Sequence, residues 1–212
     1  MRSLKEQVVD KLFLLYTIKR TNELPVGISG NLKLQKLCFL GEWELMKSEA
    51  KGLHFKFFRY NNGPFSKDVA EDYKFLAQKR RVYGSIYQLT PDGEILLDSF
   101  LKSTRDISDN AIFFDILDKV IKKWGNYFGQ ALMNEVYKMK IKPHDYPDRE
   151  MTIRDIPIHS DILVPEMWNN FVKLFDLPDD LVEDFIYVLN LDSENRKKMR
   201  ASSGASYESH FG

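Results

Sequence analysis

A single cysteine, Cys38, stands in the 212 residues, so neither an intrachain disulfide nor a site built from several thiolates can form, and the usage fits a reducing compartment. Charge of one sign is not in excess either. The 31 Lys and Arg balance 31 Asp and Glu, which removes the bulk positive field that would hold nucleic acid non-specifically. No apolar run approaches the roughly 18 residues of a bilayer span, and Glu6 and Asp10 interrupt any leader-like segment behind Met1, so the expected location is cytoplasmic, away from membranes. Also missing are a His-Glu-x-x-His metal motif, a Gly-rich phosphate loop and a nucleotide signature, and His54, His144, His159 and His210 have no metal-ligand spacing. His144-Asp145 is a weak acid–base candidate, because neighbours in sequence need not meet in space. The sequence therefore predicts a protein without cofactor or metal that is not an enzyme.

What the chain does contain is core material, 43 % hydrophobic and 13 % aromatic residues. Apolar residues at three- and four-residue steps predict a first helix through Val8, Leu12, Leu15 and Tyr16, stopped near Pro25 and Gly27. A second helix is expected from Asn31, as its cap, to Lys47, with Gly52 closing the turn beyond it. Aromatic-rich 54–60 predicts a strand, with Phe55, Phe57 and Tyr60 on one face and Lys56, Phe58 and Arg59 around the other. Asn61 to Ser66 predicts a tight turn and a serine cap for a third helix ending at Lys79-Arg80-Arg81. A second strand over 82–89, or a narrow hairpin around Gly84, leads to Thr90-Pro91-Asp92-Gly93-Glu94, a strong helix start.

This order predicts a mainly α (α+β) fold: a helical domain with a small antiparallel sheet, a winged-helix-like core over 1–104 and additional C-terminal helices. Residues 105–195 are expected as a helical extension packed on that core and 196–212 as a flexible tail. In the extension, helices are predicted over 112–124 and 129–139, then a proline-spaced connection over 142–165 with an extended piece at 151–153. Two more helices are expected, near 168–175 and 179–191. Residues 1–104 hold 17 Lys or Arg against 12 Asp or Glu, and residues 105–212 hold 14 against 19, a polarity that either steers a bipolar partner or serves solubility.

The second helix places Lys33 and Lys36 in water with Leu37 and Leu40 inward; the two lysines either snorkel at the core edge or meet phosphate or an acidic partner. Cys38, between Leu37 and Phe39, reads as a buried small hydrophobe. Only the helix after Ser66, with Lys67, Lys74, Gln78, Lys79 and Arg80, approaches what a base-reading helix needs, and Asp68, Glu71 and Asp72 oppose it. Aromatic residues left exposed beside Pro64 and Phe65 would supply anchors for a protein partner.

Lys33-Leu34-Gln35-Lys36-Leu37, then Tyr60-Asn61-Asn62-Gly63-Pro64-Phe65-Ser66, then Leu89-Thr90-Pro91-Asp92-Gly93-Glu94, together resemble the Panacea, or SocA-like, antitoxin domain and its YwgA-like relatives over roughly residues 5–140. Asn61-Asn62 departs from the family's usual strand end. The resemblance implies a non-catalytic interaction module, antitoxin or adaptor, that sequesters a protein partner such as a toxin encoded nearby. The residues expected at the interaction site are Lys33, Gln35, Lys36, Phe58, Arg59, Gly63, Pro64, Phe65 and Lys67. The alternative expectation is a winged-helix transcription regulator on duplex DNA, with nucleic acid the less favoured partner.

Overall fold

The computed structural model describes residues 2–168, 170–171 and 173–191. It shows a mixed α/β domain in which a small antiparallel sheet lies among several helices. Helix α1 (Leu4–Asn22) opens with a capping box: the Ser3 hydroxyl accepts from the Glu6 amide at 3.2 Å, and the Glu6 carboxylate accepts from the Ser3 amide at 2.7 Å. Its residues from Val8 to Ile18 are buried all round, because α1 runs through the middle of the core. Helix α2 (Asn31–Lys47) starts at a Gly30 cap rather than at Asn31: Gly30 has φ 148°, a conformation favouring glycine, so the helix begins one residue earlier than predicted.

The turn after α2 is made by Glu49 at φ 52°, and Gly52 has a different task from the predicted one. A methyl group on Gly52 would stand 2.5 Å from the Phe113 ring, so this glycine admits close packing. Strand β1 (Ala50–Lys51) follows that turn, and β2 (Phe57–Tyr60) and β3 (Gly63–Phe65) form a hairpin around Asn61-Asn62. Only the second half of the predicted 54–60 strand joins a ladder. Upstream, the amides of His54, Phe55 and Lys56 donate to the side chains of Asp10 (3.0 Å), Glu42 (3.2 Å) and Asp68 (3.4 Å), so carboxylates stand where a neighbouring strand would.

Ser66 caps α3 (Lys67–Gln78) as expected, accepting from the Val69 amide. The narrow hairpin of β4 (Val82–Tyr83) and β5 (Gln88–Leu89) precedes α4 (Pro91–Thr104), capped by Thr90. After a 3-10 turn at Ser108–Asn110 come α5 (Ala111–Trp124) and α6 (Gly129–Lys138), both packed on α2. The proline-spaced connection holds β6 (Lys140–Ile141), paired with β7 (Met151–Thr152), and then β8 (Asp161–Leu163), which completes a sheet of order β3-β2-β8.

The helix expected near 168–175 is absent from the described residues there: a 3-10 turn spans Pro165–Trp168, and β9 (Lys173–Leu174) pairs in parallel with β1. Phe175 instead contacts Phe13 and Phe113 at ring-centroid distances of 4.8 and 5.4 Å, which draws this segment into the core as an extended chain. The closing helix α7 (Asp179–Asn190) is held by the predicted basic run, since Arg81 donates to the Val188 carbonyl and Lys79 to the Asn190 carbonyl, both in its last turn. The tail expected over 196–212 lies outside the described residues. One apolar cluster draws on elements from both sides of residue 104, and no helix among the described residues is long and apolar enough to cross a membrane.

Gly93, in the first turn of α4, faces the Arg81 backbone so closely that an added Cβ would lie 1.9 Å from that carbonyl oxygen. Backbone cannot yield as a side chain does. Gly93→Ala is therefore expected to destabilise the fold by about 1–3 kcal/mol despite alanine's better helix propensity, as read from urea unfolding midpoints at unchanged slope.

Candidate functional site

The polar residues at the start of α2 point inward. Lys33 is 0 % and Lys36 2 % exposed, which corrects the expectation that they stay wet: backbone carbonyls take the place of water. The Lys33 ammonium donates to Gly27 and, at 2.6 Å, to Gly125, the residue capping α5, where a cation meets the negative end of a helix. Lys36 donates to the Pro64 carbonyl at 2.7 Å. Between them Gln35 closes both sides of Ser66, donating to its carbonyl at 3.0 Å and accepting from its amide at 2.9 Å. Burial lowers Lys33 to about 8 and Lys36 to about 7, the second helped by the charge of Arg59.

Arg59 also faces inward, against its expected place beside Phe58. Its Nε donates to the Ile153 carbonyl at 3.0 Å, another guanidinium nitrogen donates to the Tyr60 carbonyl, and the group stacks 5.0 Å over the Tyr137 ring. The alternation along 55–60 is thus unbroken. Phe55, Phe57 and Arg59 are buried, while Phe58 and Tyr60 look outward with Lys56, which reverses the faces expected for Tyr60 and Arg59.

On that outward face Phe58 lies 5.7 Å from Phe65 and 6.0 Å from Tyr60, ring to ring, and Tyr60 lies 5.6 Å from Phe65. His159 sits 6.1 Å from Tyr60, and the Lys67 ammonium is 6.0 Å from the Phe58 ring. Next to this cluster, between the β2–β3 hairpin and the first turn of α2, a cavity of about 260 Å³ is lined by Asn31, Leu32, Gln35, Lys36, Tyr60, Asn62, Gly63 and Phe65. Gly63 stands at φ 91°, a conformation that a Cβ disfavours, while the space beside Lys36 and Tyr137 would itself admit one.

The structure therefore divides the expected site residues. Gln35, Lys36, Gly63 and Phe65 line the cavity, Phe58 and Lys67 join Phe65 on the outward face, and Lys33, Arg59 and Pro64 are buried beneath it. Sequence reasoning missed Tyr60, Asn31, Leu32, Asn62 and His159. For Tyr60 the signal was its two-residue spacing from Phe58; for the others the contacts are tertiary.

A second cavity, of about 500 Å³, is walled by Arg2, Lys51, His54 and Lys56 together with Glu6, Asp68, Glu71 and Glu166. Its charges are largely spent on each other. Arg2 bridges Asp10 (2.8 Å), Asp72 (2.7 Å) and Asp68 (3.2 Å), and His54 places Nδ1 3.0 Å from Asp10. Its lining contains no Ser, Thr or Cys to act as a nucleophile. Cys38, on the buried face of α2, is enclosed by the core, and burial pushes its thiol far above the ordinary range. Among the described residues no group of His, Cys, Asp or Glu is arranged to hold a metal ion.

No family model, curated protein or solved structure matches the chain.

Two outcomes are expected of the α2 residues. Gln35→Ala strands the buried Ser66 amide, whose carbonyl keeps the Ala70 amide, and should cost about 1–3 kcal/mol in chemical denaturation. Lys36 releases its proton near 7 in the folded chain but near its ordinary value of 10.5 when unfolded, so between those values the unfolded state binds more protons. Stability should rise with pH across that window by up to about 5 kcal/mol, and Lys36→Met should flatten the rise in urea titrations run from neutral to alkaline pH.

Proposed function

We propose that this chain is a non-catalytic, cytoplasmic protein-interaction module, antitoxin-like or adaptor in role, which sequesters a partner by seating it on the outward face of the β2–β3 hairpin. The observation that carries this reading is the cluster of Phe58, Tyr60 and Phe65, held outward on a two-strand ribbon whose other face is anchored in the core. Rings fixed by a rigid scaffold lose little conformational entropy on binding, which is what makes aromatic residues effective anchors. Tyr60, 42 % exposed, has the most surface to lose to a partner. The likeness of the three ordered motifs to the Panacea domain supplies the antitoxin or adaptor role, with a toxin encoded nearby as the partner. The acidic excess of residues 105–212 would steer a basic patch on that partner towards its place.

A second reading, the winged-helix regulator, is favoured by one arrangement. Helix α3 leads into the β4–β5 hairpin, which presents Tyr83 and Ile86 to solvent like a wing. Asp68 is turned towards Arg2 and Asp72 towards Arg2 and Lys11, so the exposed side of α3 carries Lys67, Lys74 and Gln78 against Glu71.

Purification of the tagged chain from its native host, with and without nuclease, separates the two. The interaction reading expects a stoichiometric protein that survives nuclease and is lost at least tenfold in Phe58→Ala/Tyr60→Ala, a variant that keeps the far-ultraviolet spectrum of the parent. Undiminished recovery by that variant rejects the hairpin face, and recovery of duplex DNA with a salt-dependent affinity, in place of a protein, establishes the regulator.

A further inference from the structure

We infer that the cavity between α2 and the β2–β3 hairpin is an acceptor site for one carboxylate side chain, aspartate or glutamate, of the protein partner. This rests on the interaction reading above and names the chemistry by which the partner is recognised. The cavity of about 260 Å³ falls below the roughly 300–1,000 Å³ of sites for small molecules and suits a single inserted side chain. Lys36 forms part of its lining, is 2 % exposed, and has three ammonium hydrogens for one acceptor, the Pro64 carbonyl. Among the described residues lining the cavity there is no carboxylate to balance it.

The backbone adds to the same field. Helix α2 begins at Gly30 without a side-chain cap or an acidic residue in its first turn, and so does α6 at Phe128. The two starts abut, since a Cβ on Gly129 would lie 3.5 Å from the Lys33 amide nitrogen. The positive end of α2 reaches the cavity itself, whose lining includes Asn31 and Leu32 of its first turn. At the mouth, Leu32, Tyr60 and Phe65 offer apolar surface to the methylene groups of an entering side chain, and the amides of Asn31 and Asn62 offer donors to its oxygens.

The groups facing Lys36 are Arg59 from β2, Tyr137 from α6 and Tyr60 at the rim, with Lys33 on its own helix, so nothing negative competes for the ammonium. An incoming carboxylate relieves that isolation and draws a proton onto Lys36, so binding weakens as pH rises above neutrality.

The test uses the full chain with ¹³C-labelled lysine, following the Lys36 Cε resonance against pH in glutarate, in inorganic phosphate and in chloride of matched ionic strength. The expected result is a saturable rise of about one unit in the Lys36 midpoint with glutarate, absent in chloride and not shared by exposed lysines. Equal Lys36 midpoints in glutarate and chloride overturn the proposal, and so does an equal rise with phosphate, which would make the cavity a general oxyanion site. Asn31→Asp, which leaves the Pro64 contact intact and suits a helix first turn, should raise the midpoint by itself and abolish the response to glutarate. Failure here leaves the Phe58/Tyr60 result standing, so the site and the interaction reading are judged separately.

Discussion

The fold depends on buried side chains of α2 that stand in for water at the backbone of its neighbours. Lys33, Gln35 and Lys36 answer the carbonyls of Gly27, Gly125, Ser66 and Pro64. Those four residues belong to the loop before α2, the end of α5, the cap of α3 and strand β3. A buried carbonyl left without a donor costs more than an ordinary hydrogen bond contributes, so each connection is fixed by a partner on one helix. Were these positions apolar, the segments would still collapse on α2, but nothing would set their register against it.

Carboxylates perform the converse task nearby. Asp10, Glu42 and Asp68 accept from three successive amides at 54–56 and lead the chain into β2 without a flanking strand. Burial and the proximity of Asp10 push the Glu42 carboxyl well above the usual carboxylate range, and its second oxygen has no partner among the described residues. Asp10 is paired instead with the Arg2 guanidinium at 2.8 Å and lies 3.0 Å from Nδ1 of His54. With donors from α2 on one side and acceptors from α1, α2 and α3 on the other, the hairpin's inner face is determined, and Phe58, Tyr60 and Phe65 have only the outer face left.

That division explains what could be read in the sequence. Helix starts at Ser3, Ser66 and Thr90 use local chemistry, a hydroxyl and an amide two or three residues on, and Ser66 and Thr90 were legible for that reason. The Asn61-Asn62 turn and the narrow hairpin around Gly84 are local in the same way. Lys33 and Lys36 were misplaced because nothing within a few residues of a lysine reveals a carbonyl 28 or 92 positions away. Charge predicts solvent until a partner distant in sequence takes its place. The stretch 168–175 failed for a related reason, since its apolar spacing suits a helix but the space between Phe13 and Phe113 accommodates Phe175 from an extended chain. Composition pointed to an interaction surface only as a class, and the outward face proposed for it follows from where the structure places Phe58 and Tyr60.

The sheet edges restrict how a partner can be recognised. An open edge invites strand addition, in which main-chain hydrogen bonds supply affinity and little selectivity. Here β3 carries Pro64, which has no amide hydrogen, and its carbonyl is already occupied by Lys36. At the other edge, the carbonyls of Asp161 and Ile162 in β8 accept from the amides of Asp145 and His144, and the Asp161 amide donates to the Asp145 carboxylate. With both edges taken by the chain itself, a partner approaching the hairpin meets side chains: three aromatic rings, one lysine and a cavity floored by a second lysine. On the interaction reading proposed above, selectivity would follow from shape and from the charge of whatever fills that cavity. The ammonium that satisfies the Pro64 carbonyl would thereby link the closing of the edge to the proposed chemistry of recognition.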